Sequence, residues 1–143
     1  MLNNFLNIPI SFKEVKQKGA LDKIDIKKSI HNMIHLVTTT EYDEVRYDPE
    51  FGCDIWQHDF ENIYNPHAFK EELTRSIKNS IEKNERRLKN LRVDIQIEQV
   101  ELPYKINNKR IKTRIRLVVR GVIDQTNESL EHHEMFYIGP LSY

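Results

Sequence analysis

The sequence predicts an α+β fold: two amphipathic helices packed on an antiparallel β-sheet meander, in a single domain with an N-terminal arm. Three observations lead there. Apolar residues recur at helical spacing in two stretches, one ending near Val37 and one near Ile81. From Leu91 the apolar period changes to two, and polar turn segments divide the C-terminal half into successive strands. A chain of 143 residues supplies one hydrophobic core and not two ordinary ones. The arm covers residues 1–24 and the domain residues 25–143.

Taken in order, Leu2 to Leu21 mixes Phe5, Leu6, Ile8, Ile10 and Phe12 with Pro9, Gly19 and several lysines, and shows neither period. It reads as an arm that either docks a partner or packs on its own domain. Asp25 caps a first predicted helix whose stripe is Ile26, Ile30, Met33, Ile34 and Val37. Thr38-Thr39-Thr40 ends it, Val45 to Tyr47 reads as a short strand, and Pro49 with Gly52 forces a bend. Asn65 and Pro66 open a second helix, as N-cap and first helical residue. Phe69, Leu73, Ile77 and Ile81 form its buried face, and it stops near Asn84.

Leu91, Val93, Ile95 and Ile97 then alternate with Arg92, Asp94, Gln96 and Glu98, which is a half-buried strand. The apolar phase moves to Val100 and Leu102, so a bulge is expected near Glu98 to Gln99. Pro103 to Lys109 reads as a polar loop. The next strand sets Ile111, Thr113, Ile115, Leu117 and Val119 against Lys112, Arg114 and Arg116. Asp124 to Ser129 makes a further turn, and His132 to Ile138 returns as the last strand.

Lysine plus arginine equals aspartate plus glutamate, 22 each, so no global field steers the chain to nucleic acid or a membrane. The balance is uneven along the chain. Between Glu41 and Glu61 many acids face only Arg46, whereas Lys105 to Arg120 carries only cations. Such segregated charge is matched either within the fold or across an interface. The basic stretch lacks the interleaved aromatics that stack bases, so no nucleic acid partner is expected. Cys53 is the single cysteine, which excludes an intramolecular disulfide and fits a reducing compartment. The first residues lack the basic start and apolar core of a secretory signal, and no apolar run approaches the roughly 20 residues of a membrane span. The expectation is a soluble, cytoplasmic protein without membrane insertion.

His31 and His35 have the i, i+4 spacing of a zinc-binding helix, but Asn32 stands where a catalytic glutamate would be. His132 and His133 point to opposite faces of a strand. No metal and no cofactor are expected. No G-x-S-x-G elbow or phosphate-cradling glycine loop is present, and no catalytic residue is assigned.

Two islands go beyond what an ordinary fold requires. The first runs from Glu44 through Pro49 to Phe51-Gly52, and the second is Glu85-Arg86-Arg87. Together they resemble the phage-tail baseplate wedge family, often labelled lysozyme-like, whose type VI secretion member is called TssE. Its pattern is roughly G-E-x-x-x-x-P-x-F-G, then a helix, then E-P-R. Glu44, Pro49, Phe51 and Gly52 are in step, with Asp43 in the glycine position, and Arg86 stands where proline is usual.

The resemblance implies a structural wedge subunit of a contractile injection machine, assembled on the cytoplasmic side of a membrane complex, that helps to initiate sheath polymerisation. Its implied partners are other wedge subunits (TssF-like, TssG-like, TssK-like) and the contractile sheath. Glu85, Arg86, Arg87 and Glu44 would be partner-binding, since an arginine fork can grip a carboxylate with two prongs. Pro49, Phe51 and Gly52 would be structural, setting the bend and plugging the core beneath it. The alternative is a peptidoglycan-cleaving muramidase of a phage-tail-like particle. That needs two carboxyls about 5 to 10 Å apart with opposite protonation, and nothing selects a pair from Glu44, Asp54, Asp59, Glu61 and Glu85.

Overall fold

The computed structural model describes residues 4–57, 65–105 and 108–138. Its element order is β1 (Phe5–Leu6), α1 (Phe12–Lys18), β2 (Lys23–Ile24), α2 (Ile26–Thr39), a 3-10 turn (Ile55–Gln57), α3 (Pro66–Asn84), β3 (Leu88–Tyr104), β4 (Asn108–Ile123) and β5 (Ser129–Ile138). The architecture is the α+β arrangement read from the sequence. β3, β4 and β5 form an antiparallel meander in that order, and β1 pairs with β2 in a separate two-stranded sheet.

The two long helices form where local chemistry places them. Asp25 accepts the Lys28 amide at 2.9 Å to start α2, and Asn65 accepts the Ala68 amide at 3.2 Å to start α3, with Pro66 next. At the other end of α2 the threonine run turns back on the helix. Thr38, Thr39 and Thr40 donate their hydroxyls to Ile34, His35 and Leu36, occupying terminal carbonyls that would otherwise be orphaned.

Ile26, Ile30, Ile34 and Val37 of α2 are buried against Leu73, Ile77 and Ile81 of α3 and the inward residues Leu91, Val93, Ile95, Ile115, Leu117 and Val119 of the sheet. Each such aliphatic side chain contributes about 1.5 to 3 kcal/mol relative to exposure. Phe69, Met33 and Phe51 pack on this core while only partly buried.

The arm departs from the expectation of an irregular segment. Ser11 caps α1 through the Glu14 amide and Gly19 closes it at φ 68°, so two local caps define a helix that buries no residue. Phe5 pairs with Ile24, and Asn32 of α2 donates to Asn7, which fastens the arm beside the domain. Val45 to Tyr47 is not a strand but part of a chain of turns, with Asp48 N donating to Val45 O at 3.1 Å.

Three strand boundaries also move. β3 begins at Leu88 and β5 at Ser129, and most of the expected Pro103–Lys109 loop is paired, leaving the tip near Lys105. The register shift lies between Lys89 and Arg92, where Asn90 takes φ 53°, and pairing is unbroken through Glu98 and Gln99. An amide side chain tolerates that left-handed geometry, so the bulge forms at Asn90. The phase change at Val100 is not a register shift. Among the described residues β5 pairs with β4 as far as Thr113, and the β3–β4 pairing runs on beyond that point.

Candidate functional site

The two islands flank the C-terminal half of α3. In the acidic bend, Asp43 N donates to Pro49 O, Phe51 N to Asp48 O and Cys53 N to Thr40 O, a set of short-range bonds that folds the segment on itself. The Glu44 carboxylate accepts the Glu41 amide at 2.9 Å, so in the free chain this acid stabilises its own turn. Gly52 is buried at φ 118°. A Cβ there would stand 2.5 Å from the Thr40 carbonyl oxygen, so glycine is needed for both angle and space. Phe51 is half-buried against the core and Pro49 is exposed.

Polar residues of α3 hold this bend in place. Ser80 donates to Gly52 O at 2.5 Å, Ser76 to Asp54 at 2.6 Å, and Lys83 pairs with Glu50. Ser76, Ser80 and Lys83 are spaced i, i+4, i+7, a second stripe beside the apolar one. That spacing was the available signal for the bend's seat, and it was missed because polar stripes ordinarily face solvent.

Cys53 lies under the bend, fully buried, with its thiol donating to Thr38 O at 3.3 Å. Burial pushes this thiol up to about 11, so it is a small core residue and not a nucleophile. Ellman's reagent at pH 8 is expected to leave Cys53 unmodified in the folded chain and to label it fully in denaturant. Stoichiometric labelling of the folded protein would contradict that burial.

At the other island Glu85 ends α3 and its side chain is 2% exposed. Its Oε1 accepts Arg87 Nε at 2.8 Å and the Arg87 backbone amide at 3.0 Å, while Oε2 accepts Arg87 Nη2 at 2.6 Å. Arg87 Nη1 donates to Ser29 of α2 at 2.9 Å, and the guanidinium sits 5.3 Å from the centre of the Phe5 ring. Glu85 and Arg87 thus form an internal two-pronged pair that ties α3, α2 and β1 together. Ser29 and Phe5 were invisible to sequence reasoning as members of this corner. Arg86, between the two, is exposed.

Part of the basic stretch is neutralised within the sheet. Arg114 bonds Glu98 at 2.7 Å, and Arg120 bonds Asp94 and Glu131 at 2.8 Å each. Cross-strand register, not the acidic bend, supplies these partners. An open cleft of about 580 Å³ on the sheet's outer face is lined partly by these same Asp94 and Arg120 side chains. Asp59 and Glu61 lie outside the described residues. No helix among the described residues is long and apolar enough to cross a membrane.

A three-stranded meander under two helices, with a glycine-dependent bend and a closed acid–arginine corner, defines a small α+β domain. The chain belongs to the baseplate wedge protein gp25 family, whose model matches residues 24–128. That membership gives it a structural role in the baseplate of a phage-tail-like machine. Among solved structures it is similar to a Geobacter sulfurreducens protein named as a tail lysozyme, with a TM-score of 0.60, 17% identity, and coverage of 86% of this chain and 100% of that one. At that identity the likeness shows the fold alone. No curated protein matches the chain.

Proposed function

We propose that this chain is a non-catalytic wedge subunit of a contractile injection machine of the type VI secretion class. It docks other wedge proteins (TssF-like, TssG-like, TssK-like) and helps to initiate sheath polymerisation from the cytoplasmic side. The observation that carries this reading is the corner at the end of α3, where Arg86 is exposed between the paired Glu85 and Arg87. A tied-down backbone with an outward arginine is suited to gripping a partner carboxylate, because little loop freedom is left to lose on binding.

Among the described residues, the acids named as muramidase candidates have structural partners. Glu85 is closed by Arg87, Glu44 caps Glu41, and Ser76 bonds Asp54. Two further features support an assembly role. Among the described residues no strand pairs with the outer edges of β3 and β5, which are open to β-augmentation by a sheath strand. The arm exposes Leu6, Ile8, Ile10 and Phe12, an apolar set suited to a wedge partner.

The test uses exposed positions so that folding is not at issue. Arg86→Glu is expected to unfold at the same temperature as the native chain while losing copurification with wedge subunits and stopping sheath assembly, as seen by fluorescence imaging. Normal sheaths in the Arg86→Glu, Glu44→Gln double variant would defeat the proposal. So would clearing of peptidoglycan by the purified native chain.

A further inference from the structure

α2 and β5 meet through four titratable side chains that the wedge reading does not use. His31 Nδ1 lies 2.8 Å from His132 Nδ1, His132 Nε2 lies 2.8 Å from Glu134 Oε1, and the same oxygen lies 2.6 Å from His35 Nδ1. The His31 and His132 rings are 5.0 Å apart between centres and inclined at 31°. Helical spacing puts His31 and His35 on one edge of α2, and strand alternation puts His132 and Glu134 on the inward side of β5. Among the described residues no three such groups are arranged to hold a metal ion.

An Nδ1 to Nδ1 contact of 2.8 Å requires one proton between the nitrogens, since two lone pairs repel and two N–H groups collide. The ionised Glu134 only accepts, so His132 Nε2 carries hydrogen. Neutral His132 then offers a bare Nδ1, and His31 must be the donor, in its Nδ1–H form. One added proton on His132 reverses this bond without breaking it. A proton on His31 as well leaves two donors facing each other, and the contact fails.

The surroundings disfavour a proton on His31. Burial, then the His132 ring and Lys27, lowers the His31 pKa against the pull of Asp25. Burial pushes Glu134 up, but hydrogen bonds from His132 and His35 outweigh it and hold the acid below the usual carboxylate range. Other charges near the seam are Lys28, Asp22 and Lys23, which share a cleft with His31, and Glu128, which pairs with Lys27. β4 contributes apolar Leu117 and Val119 opposite Glu134 and His132, while His133 pairs with Glu131.

We propose that the His31–His132–Glu134–His35 chain is a pH-sensitive latch that closes α2 onto β5 at neutral pH and releases this seam on acidification. An unfolded His31 titrates near the ordinary 6.5 and the folded one lower, so the unfolded chain binds more protons as pH falls below that value. The stabilisation is complete above about 6.5 and is lost as pH drops towards the depressed folded value. Asn32, next to His31, holds the arm through Asn7, so the arm's anchor loosens with the latch.

Heat unfolding of the full chain, followed by circular dichroism between about pH 8 and pH 5, tests this against His31→Gln, which cannot titrate. The native midpoint is expected to fall by roughly 4 °C more than that of the variant over the interval. Parallel curves would overturn the latch. Should the variant not fold, ¹⁵N spectra of the native imidazoles decide alone. His31 as an Nδ1–H donor to neutral His132, or as acceptor from charged His132, supports it. Two neutral rings with His31 protonated at Nε2, or His31 titrating at an ordinary value, overturns it.

Discussion

Arg87→Ala is expected to lower the unfolding free energy by about 3 to 5 kcal/mol, the loss found when one partner of a buried ion pair is removed. Glu85 is the reason. Its side chain is 2% exposed, and the guanidinium supplies two of its hydrogen bonds at 2.6 and 2.8 Å. Without Arg87 a carboxylate remains at the end of α3 with little water to solvate it, and Ser29 and Phe5 lose the group that links them to the corner. Folded domains have only about 5 to 15 kcal/mol in reserve, so this one change removes a large share. Urea titration measures it. Adding Glu85→Gln to Arg87→Ala is expected to recover part of the loss, because a neutral amide tolerates burial better than an unpaired carboxylate. A single-variant cost under about 1 kcal/mol, the scale of a screened surface pair, would mean the corner opens to solvent.

An assembly defect in a Glu85 or Arg87 variant therefore mixes a loss of folding with a loss of docking. Arg86 separates the two, since it is exposed, and Glu44→Gln keeps a side-chain oxygen for the Glu41 amide.

The second large effect is expected at Gly52. Gly52→Ala should cost about 3 kcal/mol, combining strain at φ 118° with overpacking against backbone. The new methyl would meet Thr40 O at 2.5 Å and Thr40 C at 3.0 Å, atoms that cannot rotate away as a side chain would. Thr40 O already accepts from Cys53 N, and Gly52 O from Ser80, so a shift of the bend breaks bonds on both sides. The single tryptophan reports on the same region. Trp56 donates to Thr38 O at 3.1 Å and meets Phe136 edge-on. The variant is expected to lower the unfolding midpoint and to shift the folded-state Trp56 emission. An unchanged midpoint and spectrum would show that the bend accommodates a side chain.

Much of the fold was legible because its signals are local. Asp25 and Asn65 start helices through amides three residues ahead, and the period-two run after Leu91 marks a strand whatever its neighbours. α1 was missed because its signals are the caps Ser11 and Gly19 without an apolar stripe, and no residue of it is buried. The bulge was placed too far along because the phase change at Val100 looked like a register shift. It lies instead next to the last β4–β5 pair among the described residues, Thr113 with Ile138, while the β3–β4 register is unbroken.

At the site, the family resemblance drew attention to particular residues but did not say what each of them touches. Glu44, Pro49, Gly52, Glu85 and Arg87 were singled out because they are in step with the family pattern. That Glu85 faces inward, and that its arginine reaches Ser29 and Phe5, depends on how α3 meets α2 and β1. The histidine chain shows the same division: His31 with His35, and His132 with Glu134, are readable as spacings within one element, whereas their meeting is not.

By itself, then, the sequence determined the two long helices, the period-two strands and the need for a bend at Gly52, because caps, apolar periods and backbone angles are local signals. Only the tertiary structure decided which charges are buried, which strand cations are neutralised and by which acids, and which histidines share a proton. Those outcomes rest on distances between segments far apart in the chain, set when the apolar faces close and the side chains at their margins are brought within hydrogen-bonding reach.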